Sequence, residues 1–257
     1  MRLAKGILGA CLLLGCGDDT QTGGAGGSGG ATGGSGGAGG ETVDGGGGAG
    51  GEAATVTMTF QVRGLNGDLI DGMEICVDGA DPPNCATTDD TGEAVLSVPA
   101  ESELAFRSQK ADFVTSLVPI ETGAVDAPTF NLAGVTETGL EAIAQAFGVT
   151  LDPTKGTVGI LHAGQAPTGV STSIAPASGE GPFYYDSTFT PQPLATELPQ
   201  GGGALFFNVD PGTVTTSFAP ALAGCTFIEM AWGSEADNTT TPVEAGVVSA
   251  PPNIFCN

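Results

Sequence analysis

The 257-residue sequence predicts an all-β protein: two small β-sandwiches with one packed helix, set behind a leader and a glycine-rich stretch that do not fold. Three observations carry this. Thr, Val, Gly and Pro are abundant while Lys and Arg together number only six, a composition of strands and turns and not of a helical bundle. Apolar and polar residues alternate over short runs separated by Gly, Asp, Asn and Pro. One segment alone carries a convincing helical period. The resulting organisation is 1–15 leader, 16–53 tether, 54–133 first sandwich, and 134–257 helix plus a second, degenerate sandwich.

Residues 1–16 read MRLAKGILGACLLLGC. Arg2 and Lys5 give a positive start. The apolar run from Gly6 to Leu14 is too short to cross a bilayer of about 30 Å as a helix. This is the pattern of a secretory signal peptide, which takes no part in the fold. Leu13-Leu14-Gly15-Cys16 resembles the lipobox of bacterial lipoprotein precursors, where a small residue precedes the cysteine so that the peptidase can close on the backbone. The resemblance implies that Cys16 becomes the lipidated mature N-terminus, acylated with palmitate-like chains. It places the protein in the cell envelope, at the outer membrane or cell surface, with the membrane as partner through a lipid anchor. Several acyl chains, at about 0.8 kcal/mol per buried CH₂, hold far more firmly than one. Cys11 also lies in the apolar run, but Leu12 follows it, whereas Cys16 is followed at once by Gly17-Asp18-Asp19.

From Gly23 to Gly51, eighteen of twenty-nine residues are glycine, so the segment has nothing with which to build a core and reads as a flexible tether. Residues 16–53 would give it a root-mean-square reach of about 35 Å. Gly26-Gly27-Ser28-Gly29-Gly30 fits the hydrolase elbow G-x-S-x-G, yet that motif needs a strand before it and a helix after it.

The first sandwich opens with Thr55–Arg63, where Val56, Met58, Phe60 and Val62 share one face. Met73, Ile75 and Val77 alternate next, and Glu93–Val98, Glu103–Arg107 and Phe113–Ile120 follow as strands. Gly64–Ile75, then Thr88-Asp89-Asp90-Thr91-Gly92-Glu93-Ala94-Val95-Leu96-Ser97-Val98-Pro99, is similar to the carboxypeptidase regulatory-like (transthyretin-like) domain. That resemblance implies a non-catalytic sandwich module. Within it, Asp89 is expected to cap the turn and Gly92 to supply a positive φ. Asp78, Asp81, Asp89 and Asp90 cluster, but their spacing fits no calcium loop, so they read as solvated turn caps and no metal is expected.

Thr138–Gly148 is the helix: Leu140, Ile143, Ala144 and Phe147 fall at i, i+3, i+4 and i+7. Thr136 or Thr138 is its cap, and Gly148 ends it. It is expected to pack on the edge of the second sandwich. Gly156–His162 is a strand. Pro167–Ile174 and Gly201–Gly212 echo the glycine–strand–proline pattern of the first sandwich, which suggests a degenerate repeat.

Phe183, Tyr184 and Tyr185 begin the densest aromatic stretch, which runs to Phe189. Two readings are open. One is a strand with Phe183 and Tyr185 on one face and Tyr184 on the other. The other is a stacking surface for sugars or a partner.

Six basic against twenty-nine acidic residues give −23. Loss of Arg2 and Lys5 with the leader leaves Arg63, Arg107, Lys110 and Lys155, four basic residues against the same twenty-nine, or −25. Such a chain repels phosphate backbones, so nucleic acid is excluded as a partner.

After removal of Cys11 and lipidation of Cys16, Cys76, Cys85, Cys225 and Cys256 remain. Three disulfide pairings are open to them in an exported protein, and proximity favours Cys76–Cys85 and Cys225–Cys256. Zinc would need clustered ligands, and His162 is the sole histidine. A Ser-His-Asp triad would have to use that residue, which sits in an apolar strand. No cofactor is expected. The functional expectation is a non-catalytic envelope lipoprotein with a structural or binding role and an envelope protein or polysaccharide as possible partner. The alternatives are a carbohydrate-binding lipoprotein using Phe183–Phe189, and a hydrolase of unknown type.

Overall fold

The computed structural model describes residues 54–127, 129–164, 169–220, 225–227, 238–251 and 254–256. In the strand stretches 162–164, 225–227, 238 and 254–256 it describes the backbone alone. The leader, Cys16 and the glycine-rich segment lie outside the described residues.

The first seven strands are β1 (Thr55–Gly64), β2 (Glu74–Val77), β3 (Cys85–Thr87), β4 (Glu93–Pro99), β5 (Glu103–Gln109), β6 (Ser116–Glu121) and β7 (Phe130–Gly134). β1 is the middle strand of a three-stranded sheet, antiparallel to β4 (Thr55 opposite Pro99) and parallel to β7 (Phe60 opposite Phe130). β5 pairs antiparallel with β6 and β2, and β2 with β3. The alternation read in β1 faces inward as expected: Val56, Met58, Phe60 and Val62 are buried with Ile75, Phe106, Val118 and Ile120 from the facing strands. The rings of Phe60 and Phe106 meet at 4.8 Å, tilted by 50°.

The helix α1 (Glu137–Ala146) follows, then β8 (Gly156–Gly164), β9 (Ser171–Ala175), β10 (Glu180–Tyr185), β11 (Gly203–Val209), β12 (Gly212–Ala219), β13 (Cys225–Phe227), β14 (Asn238–Val243), β15 (Val248–Ser249) and β16 (Ile254–Cys256). β14-β12-β9 form a second three-stranded sheet. It shares a core with β8, β10 and β11, made by Val158, Ile160, Tyr184, Phe206, Val214 and Phe218 among others. The fold is therefore all-β with one helix among the described residues, and residues 51–257 form one compact unit.

The two cores are joined by β15. Its two residues pair in parallel with β6 on one side and β8 on the other. Through it β10-β11-β8-β15-β6-β5-β2-β3 run as one sheet.

The cap of α1 is Thr136, whose hydroxyl accepts from Gly139 N–H at 3.1 Å, and Glu137 lies in the positive first turn. Gly148 at φ 78° turns the chain so that Val149 N–H returns to the Ala144 carbonyl at 2.9 Å. The helix covers a sheet face, not an edge. Leu140 and Ala144 bury against Tyr185, Leu205 and Phe207, while Ala204 and Phe206 of the same strand face the other core. β11 is thus packed on both sides, and nearly every one of its residues is buried.

Candidate functional site

Phe183, Tyr184 and Tyr185 lie on β10, and the strand's period of two sorts their side chains. Tyr184 points into the core shared with β14-β12-β9 and is 2% exposed; its hydroxyl accepts from Thr172 N–H at 3.3 Å. Phe183 and Tyr185 point the opposite way, toward α1. Phe183 sits 4.9 Å from the Phe147 ring and 5.7 Å from that of Phe207. Tyr185 is 4% exposed, stacks on Phe189 at 5.4 Å and donates its hydroxyl to the Ile160 carbonyl at 3.1 Å. Burial pushes its phenol pKa above the ordinary range. The strand geometry, not an open stacking platform, is what the structure places here. The glycine that opens β11 follows from it: a side chain at Gly203 would collide with the Tyr185 ring and the Ile160 carbonyl.

Beside Tyr185 lies a cavity of about 110 Å³, walled by α1, β7, β8 and β11. Leu140, Leu161, Leu205 and Phe189 line it, and Gly159 of β8 leaves room in it. The polar residues of its lining are Ser116, Asn131 and Tyr185, Asn131 being exposed.

The acidic residues have structural work that the sequence showed only in part. Asp89 caps its turn as expected, accepting from Thr91 N–H (2.9 Å), the Thr91 hydroxyl (2.6 Å) and Glu93 N–H (3.1 Å), with Gly92 at φ 71°. The same Asp-x-Thr device recurs unforeseen at Asp152, which holds Thr154, and at Asp186, which holds Thr188, Thr190 and Gln192. In all three the threonine hydroxyl's donation to the ionised carboxylate is the main cause of a pKa below the ordinary value. Asp78 is bonded to Arg107 Nε at 2.7 Å, and Arg107 grips both oxygens of Glu244 at 2.8 Å. Both carboxylates hold the guanidinium pKa above its usual value, the Asp78 hydrogen bond most strongly. This clasp ties β5 to the chain just after β14. Asp81 and Asp90 are exposed. Lys155 pairs with Asp210, and Lys110 with the Asp71 carbonyl.

Cys76 and Cys85, facing one another across β2 and β3, form a disulfide with a Cα separation of 4.0 Å. Glu74 lies beside them, but the bond occupies both sulfurs, so this trio offers no metal site. The antiparallel register of β13 and β16 sets Cys225 opposite Cys256; their side chains lie outside the described residues, as does that of His162 on β8.

No family model matches the chain, and no curated protein matches it. Among solved structures it is similar to the Bacillus anthracis TIE protein at 14% identity over 78% of this chain and 34% of that one, with a TM-score of 0.25. The shaft pilin SpaA from Lactobacillus rhamnosus GG aligns at 12% identity over 79% and 99%, with a TM-score of 0.23. The minor pilin of Streptococcus agalactiae aligns at 10% over 78% and 96%, with a TM-score of 0.22. The chain spans about a third of the length of the Bacillus anthracis protein. Similarities of this size carry no argument about shared function.

Proposed function

We propose that this chain is the precursor of a cell-envelope lipoprotein: a non-catalytic β-sandwich ectodomain, with a structural or binding role, tethered to the membrane by lipid on Cys16. The observation that carries it is Leu13-Leu14-Gly15-Cys16, placed after a charged start and a short apolar run and followed at once by polar and glycine-rich sequence. The passive reading of the folded part draws on carboxylates that are engaged within the fold. Asp89, Asp152 and Asp186 brace turns, and Asp78 and Glu244 are held by Arg107. The aromatic stretch gives the carbohydrate reading no support, because Tyr184 and Tyr185 are core residues.

Mass spectrometry of the exported polypeptide tests the proposal. The expected result is a chain beginning at Cys16 and carrying diacylglyceryl and acyl mass, with Cys16→Ser releasing the protein from the membrane fraction. A chain starting elsewhere, or a Cys16 without lipid mass, would sink it.

A further inference from the structure

We propose that the cavity beneath α1 is a binding site for an uncharged hydrocarbon group about the size of a benzene ring. The inference stands on the folded part alone and is independent of how the chain is anchored. Twenty-nine acidic residues populate this chain, yet none of the eighteen residues lining the cavity is charged. The cavity is partly open to solvent, where Asn131 is exposed, and its volume of about 110 Å³ approaches the order of 150 Å³ of enclosed apolar cavities that take up benzene.

The second observation is Gly159. It lies in the middle of β8, between Val158 and Ile160, whose side chains bury in the opposite core. A glycine in a strand interior weakens the strand unless close approach demands it. At Gly203 and Gly156 it is demanded, since an added Cβ would crowd against backbone carbonyl oxygens. At Gly159 an added Cβ would meet only Leu205 Cδ2 at 3.5 Å and Val248 Cγ1 at 3.9 Å, both ordinary contacts. Neither crowding nor an unusual φ requires glycine there, and what its missing side chain provides is space.

The walls define the ligand. Tyr185 has its hydroxyl committed to Ile160, so it offers the cavity its ring, backed by Phe189. Leu140 and Leu205 supply aliphatic surface, and Ser116 and Asn131 are the other polar residues of the lining. An aromatic ring or short branched chain fits; an anion would find no cation in the lining and would face a strongly negative chain. Burying about six carbons at the usual transfer free energy corresponds to a dissociation constant on the order of a millimolar.

The test uses residues 16–257 exported behind a plain leader, free of lipid and detergent. Benzene and benzoate are titrated by ligand-observed NMR and by thermal shift. Benzene is expected to bind saturably at one per chain and to raise the melting temperature with dose, while benzoate does neither. Gly159→Val should weaken benzene binding at least tenfold while the circular dichroism spectrum is retained. Gly159→Ala, whose methyl meets only ordinary contacts, gives a smaller loss and serves in its place if the valine variant does not fold. Absence of saturable benzene binding by the unaltered chain, or equal binding by the folded Gly159 variants, would overturn the proposal.

Discussion

Consider the removal of the Cys76–Cys85 bridge by the double substitution Cys76→Ala/Cys85→Ala. The two cysteines are nine residues apart, so the bridge closes a short loop in the unfolded chain. On the loop-entropy model that restriction amounts to about 8.6 cal/mol/K, or about 2.6 kcal/mol at 25 °C. The native contacts around the bridge do not depend on sulfur. Val77 N–H bonds to the Asn84 carbonyl at 2.9 Å, and Asn84 Nδ2 donates to the Ser97 carbonyl at 2.8 Å. The fold should therefore survive. For a unit of roughly 200 residues, each kcal/mol shifts the melting temperature by about 2–4 °C, giving a fall of about 5–10 °C. Scanning calorimetry of the double variant against the unaltered protein measures it; reductant is avoided because it would not act on this bridge selectively. A fall below about 1 °C would refute the reasoning, since β2–β3 would then be opening without the rest of the unit. A fall far beyond about 10 °C would show that the bridge supports native packing directly.

Four further outcomes are expected. Asp186→Asn removes a carboxylate whose pKa is lowered in the folded state, so the stability it contributes is present above its ordinary value near 3.8 and is lost as pH falls through the lower folded value. The melting-temperature gap between the unaltered protein and Asp186→Asn should be constant near neutrality and close progressively once pH falls below the ordinary carboxylate value near 3.8. Tyr185 is raised by burial, so one of the chain's two tyrosines should ionise, by phenolate absorbance, only well above the ordinary value of 10.0 or on alkaline unfolding. Phe207→Ala empties the fully buried joint between α1 and β11 and should cost about 3–5 kcal/mol by denaturant unfolding. Thiol titration of the denatured, unreduced, lipidated chain should find no free cysteine, because register sets Cys225 opposite Cys256.

The first half was legible because its strands alternate cleanly. Val56, Met58, Phe60 and Val62 announce β1, and Glu93–Val98 announces β4. The helix was legible for the same reason at a different period, with Thr136 as the cap of the two threonines on offer. The second half hid its strands because threonines occupy interior positions. Thr216 of β12 and Thr239 and Thr241 of β14 are fully buried, so polar letters stand where the period-two signal needs apolar ones. β6 is buried on both faces, and its run of apolar residues carries no facing information. β15 is two residues long and pairs in parallel with strands distant in sequence, which local patterning does not encode. Of the candidate site, the aromatic stretch was visible, but the helix packed over it is a tertiary fact. The value of Gly159 rests on the distance to Leu205, which no spacing in the sequence reveals.

The position of β1 has a mechanical consequence. It is the first strand among the described residues and the middle strand of its sheet, so a load arriving from the N-terminal side enters at Thr55, where β1 is paired with β4. A pull along the strand axis strains the rungs to β4, from Thr55–Pro99 to Gln61–Glu93, in shear and together, and the parallel rungs to β7 resist at the far end. Rupture then demands simultaneous failure on two flanks, where an outer hairpin would unzip one rung at a time. A body dragged by its leading end through moving fluid is thereby gripped by a strand paired on both flanks.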